Sequence, residues 1–283
     1  WVAGQLARWA GRPRHDVGYA GLKDRHAVTE QWFSVLCPGG RHPDPDTLAI
    51  EGVELLESRP HDRKLKRGAL RGNTFRLRVT GLEADAAALE QRLQAVAARG
   101  VPNAFGPQRF GREQGNLRLA ERWFAGELRP RRDERGFALS AARSLVFNAV
   151  LAERIANGSW ETAAPGDPVQ LDGSGSWFIA EAGDEALPRR LATLDVHPTG
   201  PLWGQGEPPG DGPGAELERT VVARFPLFAA GLAAQGLKQE RRSLRLRVTD
   251  LTWRVAGDVL ELSFTLPAGA FATAVLRELV EVD

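Results

Sequence analysis

An α+β fold is what this sequence predicts, and three observations carry the prediction. The stretch TFRLRVT (74–80) alternates apolar and polar residues with the period of a strand. Residues 84–99 and 140–158 repeat apolar positions with the period of a helix. Strand and helix candidates follow one another without the regular βαβ alternation of a parallel sheet. No internal repeat of fixed period appears.

Taken in order, residues 2–10 read as a short helix, and 28–36 and 52–57 as strands. In 74–80, Phe75, Leu77 and Val79 fall on one face and Arg76 and Arg78 on the other. The amphipathic pattern of 84–99 ends at Gly100. The pattern of 140–158 has Ser140 as its N-cap candidate and Gly158 as its stop. From 159 to 220, short strand candidates such as LDGSGSWFIA are separated by Gly and Pro, and GQGEPPGDGPGAE (204–216) has the composition of an exposed loop or linker. Beyond it come a helix at 228–240 and a strand at 243–248. LTWRVAGDVLELSFTL then reads as a hairpin turning at Gly257-Asp258, and FATAVLRELV as a closing helix.

At 283 residues, 42% apolar and 26% charged, the chain can bury an ordinary core as one large domain or two. No run approaches the roughly 18 apolar residues a membrane helix needs. The first residues lack a secretory h-region, and the lone Cys37 excludes an internal disulfide framework. A cytoplasmic location is expected. The chain has no Met and starts at Trp1, so a segment upstream is expected to be missing. Arginine outnumbers lysine 33 to 4, which GC-rich coding explains without any partner.

Distribution says more than the net charge of +1. Arg59, Arg63, Lys64, Lys66, Arg67, Arg71, Arg76 and Arg78 face a single acid, Asp62, within 59–78, and acids gather in 181–187 and 207–218. Segregated charge on a balanced chain is the pattern of a polyanion-binding face, although solvated basic loops would look the same.

The chemistry-bearing motifs are narrowed by what is missing. There is no phosphate-binding G-x-x-x-x-G-K-[ST] and no G-x-G-x-x-G between strand and helix, so no nucleotide cofactor is expected. The five histidines show no metal-ligand spacing, and no serine elbow occurs. That leaves carboxylates, cations, amides and aromatics. Asp24, between Lys23 and Arg25, is the best candidate: a carboxylate beside cations is ionised at neutral pH and acts as a nucleophile without a base. A surface salt bridge is the plain alternative.

The stretch GYAGLKDRHAVTEQWFSV (18–35) closely resembles the signature of the TruD family of tRNA pseudouridine synthases, G-x-K-D-x-x-A-x-T-x-Q. LRGNTFRLRV, VPNAFGPQRFG, LSAARSLVFNAVLAERI and LPAGAFATAVLREL resemble further family blocks in family order, covering most of the chain except 159–240. The resemblance implies a mixed-sheet catalytic domain of pseudouridine-synthase type, residues 1–99 and 248–283, with an α+β domain inserted at 100–247. It implies isomerisation of a tRNA uridine, uridine 13 of the D-arm, a reaction for which the absent cofactor and metal motifs are expected; the chain is expected to be a monomer.

The resemblance makes Asp24 the catalytic residue, with Lys23 among the substrate-binding ones. Phe75 and Phe271 would enclose the uracil, Asn73 would orient the site, and Arg277 would pair with Asp24. Read from the sequence alone, Phe75 could equally be core, Asn73 a turn residue and Arg277 a solvated helix position. Arg63, Lys64, Lys66, Arg67 and Arg71 would meet phosphates. Whether Asp24 attacks C1′ or removes a ribose proton to give a glycal stays open. So do a non-catalytic RNA-binding module and a truncated, inactive synthase. Family members carry an N-terminal segment before the position of Trp1, consistent with the missing Met.

Overall fold

Ala3, Leu6 and Ala7 fall on one stripe of a helix, and burying that stripe organises the N-terminal part of the chain. The computed structural model describes residues 1–40, 42–83 and 85–281, which divide into two compact units, Trp1–Asn73 and Thr74–Asp283. In the first unit, α1 (Val2–Trp9) packs on an antiparallel pair, β1 (Val17–Tyr19) and β2 (Phe33–Val35). Val17 lies opposite Val35 and Tyr19 opposite Phe33.

Two expected strands are corrected here. Of 28–36 only Phe33–Val35 is strand, because β1 offers no more than these positions to pair with, and Val28 is fully exposed. Residues 52–57 form no strand: a lone bridge joins Ile50 to Val53, and Leu55 and Leu56 stay exposed with no neighbouring strand to bury them.

The strand alternation is realised in β3 (Gly72–Thr80), inside which the two units divide. In the second unit Phe75, Leu77 and Val79 pack on a core shared with α2 (Ala86–Arg99), while Arg76 and Arg78 are exposed. The Asp85 side chain caps α2 by accepting the Ala87 N–H at 3.1 Å, and Gly100, at φ 71°, ends it in a conformation glycine adopts freely. After β4 (Val101–Pro102) come α3 (Pro107–Phe110), α4 (Gly115–Phe124) and α5 (Arg132–Ala156).

The long helix starts eight residues before the expected cap. Ser140 is internal, and the start is fixed at Arg131, whose backbone N–H donates to Glu134 Oε2 at 3.0 Å, with Asp133 and Glu134 favourably placed in the first turn. Gly158, at φ 73°, follows its end as expected.

Next come β5 (Pro168–Leu171), β6 (Trp177–Ile179), α6 (Leu187–Ala192), β7 (Val196–Leu202), α7 (Pro213–Val222), α8 (Pro226–Ala234), β8 (Glu240–Ser243) and β9 (Arg245–Leu246). The 204–216 stretch is not a solvated linker. Gly210, Gly212 and Gly214 lie so close to Gly166 and Asp167 that a Cβ would collide, and Asp167 Oδ1 accepts the Gly214 N–H at 2.7 Å. The helix expected over 228–240 stops at Ala234, just before Gly236 at φ 71°. The strand expected at 243–248 is split at Leu244, where the chain leaves β7, the partner of β8, for β4, the partner of β9.

The hairpin forms as expected from β10 (Thr249–Ala256) and β11 (Val259–Pro267), and α9 (Ala272–Leu279) closes the chain. The sheets run β10-β11-β3, β6-β5-β7-β8 and β4-β9. The first, with α2 and α9, surrounds one core, while residues of α4, α5, α8 and the four-stranded sheet build others. The architecture is α+β. Among the described residues no helix is long and apolar enough to cross a membrane.

Candidate active site

Asp24 sits on an irregular loop between β1 and β2, with its side chain exposed. Its neighbour Lys23 does not turn to it: Lys23 Nζ donates to Asn73 Oδ1 at 2.6 Å. Among the described residues of the first unit no cation lies within 4 Å of the Asp24 carboxylate. Leu22 and Val28 on the same loop are also exposed, and Trp32 is half-exposed with the Arg59 guanidinium 4.6 Å from its ring centroid.

The chain of 64–68 is fastened across β1 and β2 and the residues flanking them. Leu65 N–H donates to Ser34 Oγ at 2.9 Å, Gly68 N–H to Ala20 O at 2.7 Å, and the Lys64 ammonium to the His15 carbonyl. Gly18 makes room for that crossing, since a Cβ there would meet Leu65 O. Arg67 donates to the Tyr19 hydroxyl at 2.6 Å with its guanidinium 4.4 Å from the ring centroid. A hydrogen bond from Arg14, aided by the charge of Arg67, holds the Tyr19 phenol below its ordinary pKa against the opposing effect of burial. Arg63, Lys64, Lys66, Arg67 and Arg71 are all exposed, although Lys64, Arg67 and Arg63, 3.7 Å from Asp62, already have protein partners.

In the second unit Phe75 lies 5.5 Å from the ring of Phe264 and is half-buried against the sheet core. Phe271 precedes α9 with extended φ and ψ of −120° and 132°. It packs with Phe105, Phe147 and Leu151, and Arg109 lies 5.7 Å from its ring centroid. Arg277 is exposed in the last turn of α9. Lys23 and Asn73 are thus brought together in the first unit, while Phe75, Phe271 and Arg277 occupy three places in the second. The sequence reading gave no site role to Arg109, 5.7 Å from the Phe271 centroid, or to Arg242, over the ring of Phe105. For Arg109 the signal was an arginine set among aromatics, as in AFGPQRFG.

The sequence model of the family described as tRNA pseudouridine synthase D (TruD) matches residues 1–126 and 134–279. A tRNA pseudouridine synthase D of Nitrosococcus oceani is 51% identical over 287 aligned residues, covering 100% of this chain and 80% of the relative. One of Methylococcus capsulatus is 50% identical, again covering 100% of this chain and 80% of the relative. A crystal structure of a candidate tRNA pseudouridine synthase D from Methanosarcina mazei superposes with a TM-score of 0.74 at 21% identity, covering 100% of this chain and 85% of that one. At that identity the likeness bears on the fold alone. With the family matched along nearly its whole length and half its residues shared with relatives of which it spans four fifths, the chain belongs to the tRNA pseudouridine synthase D (TruD) family.

Proposed function

We propose that this chain isomerises a uridine of tRNA to pseudouridine, uridine 13 of the D-arm, with Asp24 as the nucleophile. The observation that carries the reading is Asp24 itself: exposed on a loop inside the stretch that the family model matches, with no described cation of the first unit within 4 Å. The reaction breaks the N1–C1′ bond of the uridine, turns the base and joins C5 to C1′; C5 loses its proton and N1 takes one up, so the product is an isomer and nothing is oxidised. A carboxylate near the anomeric carbon is a recurrent means of cleaving glycosidic bonds. Attack of Asp24 on C1′ would hold the ribose as an ester while the uracil turns, and that ester bond would break as C5 takes its place on C1′. The base must first leave its stack, and Phe75 and Phe271 would offer it aromatic faces. Lys23, held by Asn73, would orient the loop beside Asp24.

We assign the catalytic domain to 1–99 and 248–283 and the inserted domain to 100–247. Support comes from the core around β3, α2, β10, β11 and α9, whose buried members fall within 89–96 and 248–279 except for Val101 and Leu246 at the two edges of the inserted range. Tight RNA binding without chemistry is the second reading, favoured by the exposed cations of 63–71.

The test is incubation of unmodified tRNA transcripts with this chain, followed by carbodiimide labelling and primer extension. One modified D-arm uridine, lost in Asp24→Asn, is the expected result. Binding without pseudouridine would leave the second reading standing.

A further inference from the structure

This fold treats its buried arginines in two ways. Arg241, 1% exposed, makes bonds of 2.8 and 2.6 Å to Glu218 and two more to Thr199. Arg154 donates to the carbonyls of Ser159 and Thr162 and lies 3.7 Å from Asp167. Arg245 donates to His197 and to the carbonyls of Leu191 and Val196. A guanidinium has five donors, and burying them unpaired is costly, so these three environments are built to satisfy them.

Arg109 and Arg242 are treated otherwise. Arg109 Nη1 donates to Ser140 Oγ at 2.8 Å, and Arg242 Nη2 to Asn103 Oδ1 at 2.5 Å, both neutral acceptors. The Nε of each is buried and has no partner. Among the described residues no carboxylate comes within 4 Å of either. Both border the same ring: the Phe105 centroid is 4.2 Å from Arg242 Cζ and 5.0 Å from Arg109 Cζ. Burial, with the repulsion of Arg109, brings Arg242 down to about 10, which still leaves it charged at neutral pH. Two like charges therefore share one aromatic ring with no counter-ion.

The frame around them is fixed. Asn148 Oδ1 accepts the Phe105 N–H and Asn148 Nδ2 donates to the Phe105 carbonyl, both at 2.9 Å. Asn103 Nδ2 donates to Ser243 O at 2.8 Å while its oxygen holds Arg242. Neither arginine is fully closed off from solvent, and Phe271 lies 5.7 Å from Arg109 Cζ.

We propose that Arg109 and Arg242 form a two-guanidinium seat for a phosphodiester of the bound RNA, beside Phe271. The inference rests on the proposed RNA substrate. A phosphodiester offers two anionic oxygens to two planar donor forks, supplies the missing counter-charge and relieves the repulsion between the pair. Its place beside Phe271 makes it the seat for the backbone next to the nucleotide whose base that ring receives.

The test measures binding of an unmodified tRNA transcript to the full chain across a salt series, for wild type, Arg109→Gln, Arg242→Gln, the double variant, and Arg189→Gln as an exposed control. Each seat variant is expected to bind about tenfold more weakly at physiological salt. The slope of log affinity against log salt should fall by about one unit for the lost phosphate contact. Circular dichroism establishes that the variants are folded. Arg242→Lys, which keeps the charge without the fork, should recover most of the slope. Thermal melting with inorganic phosphate against chloride at matched ionic strength gives a second reading: phosphate should raise the wild-type midpoint and leave the double variant unmoved. Folded variants with unchanged slope overturn the proposal, including when phosphate alone still stabilises the wild type, since the seat would then serve the free ion. Wild-type binding without pseudouridine formation would fail the proposed activity and leave this slope test intact.

Discussion

Replacing Gly18 by alanine adds one methyl group where the 64–68 chain crosses β1. That Cβ would lie 2.4 Å from Leu65 O, 2.7 Å from Ser34 Oγ and 2.8 Å from Lys64 Cγ. Contact with the Leu65 carbonyl cannot be relieved by turning a side chain, so the crossing segment must retreat by about 1 Å. Retreat stretches two hydrogen bonds, Leu65 N–H to Ser34 Oγ (2.9 Å) and Gly68 N–H to Ala20 O (2.7 Å), each contributing about 1 kcal/mol net. With some residual overpacking, the expected cost is about 2–3 kcal/mol. Exchange of the Leu65 and Gly68 amides, followed by nuclear magnetic resonance, should quicken by about thirtyfold or more. Gly21→Ala is the internal control, because nothing lies within 4 Å of the added Cβ, and it should change stability by less than about 0.5 kcal/mol. If Gly18→Ala keeps both amides as protected as wild type, the close approach does not hold the basic segment and the reasoning fails.

Three further outcomes follow from the second unit. Glu218→Ala leaves the buried Arg241 charge unpaired and should cost about 3–5 kcal/mol by chemical denaturation, most of it recovered in Glu218→Ala/Arg241→Met. Gly136→Ala, on an open face of α5, should stabilise by up to about 1 kcal/mol in the same assay, whereas Gly231→Ala in α8, whose Cβ would lie 2.2 Å from the Phe124 ring, should destabilise by about 1–3 kcal/mol. Burial pulls the Asp172 carboxyl upward, but hydrogen bonds from His197 and Arg247 outweigh it and hold the group below its ordinary value of 3.8. A lowered carboxylate stabilises the fold above its unfolded pKa, and that contribution is lost as pH falls through the folded value. Thermal midpoints of wild type should therefore decline more steeply below about pH 4 than those of Asp172→Asn.

Short-range signals carried through wherever the chain's own neighbours decide the outcome. Asp85 and Gly100 bracket α2, Gly257-Asp258 turns the β10–β11 hairpin, and the alternation of 74–80 survives as a buried and an exposed face of β3. The closing helix was legible to within one residue: Phe271, read as its first residue, stands just before α9 in extended conformation. The signature around Asp24 was legible as a family resemblance, not as geometry.

Where partners distant in sequence decide, the pattern misled. Residues 52–57 have the composition of a strand but no strand to pair with, and 243–248 look continuous although Leu244 is where the chain changes sheets. Ser140 looks like a cap because local pattern cannot tell a cap from a polar residue inside a helix; its hydroxyl instead accepts a bond from Arg109, 31 positions earlier. By itself, the sequence determined both ends of α2, the hairpin and the residue types available for chemistry, because these depend on backbone conformation and neighbours within a few positions. Only the tertiary structure decided that Lys23 reaches Asn73, that 64–68 is fastened over Gly18, and that Arg109 and Arg242 share one phenyl ring without a counter-ion. Each of those depends on burial and on the meeting of groups far apart in the chain, which no local pattern encodes.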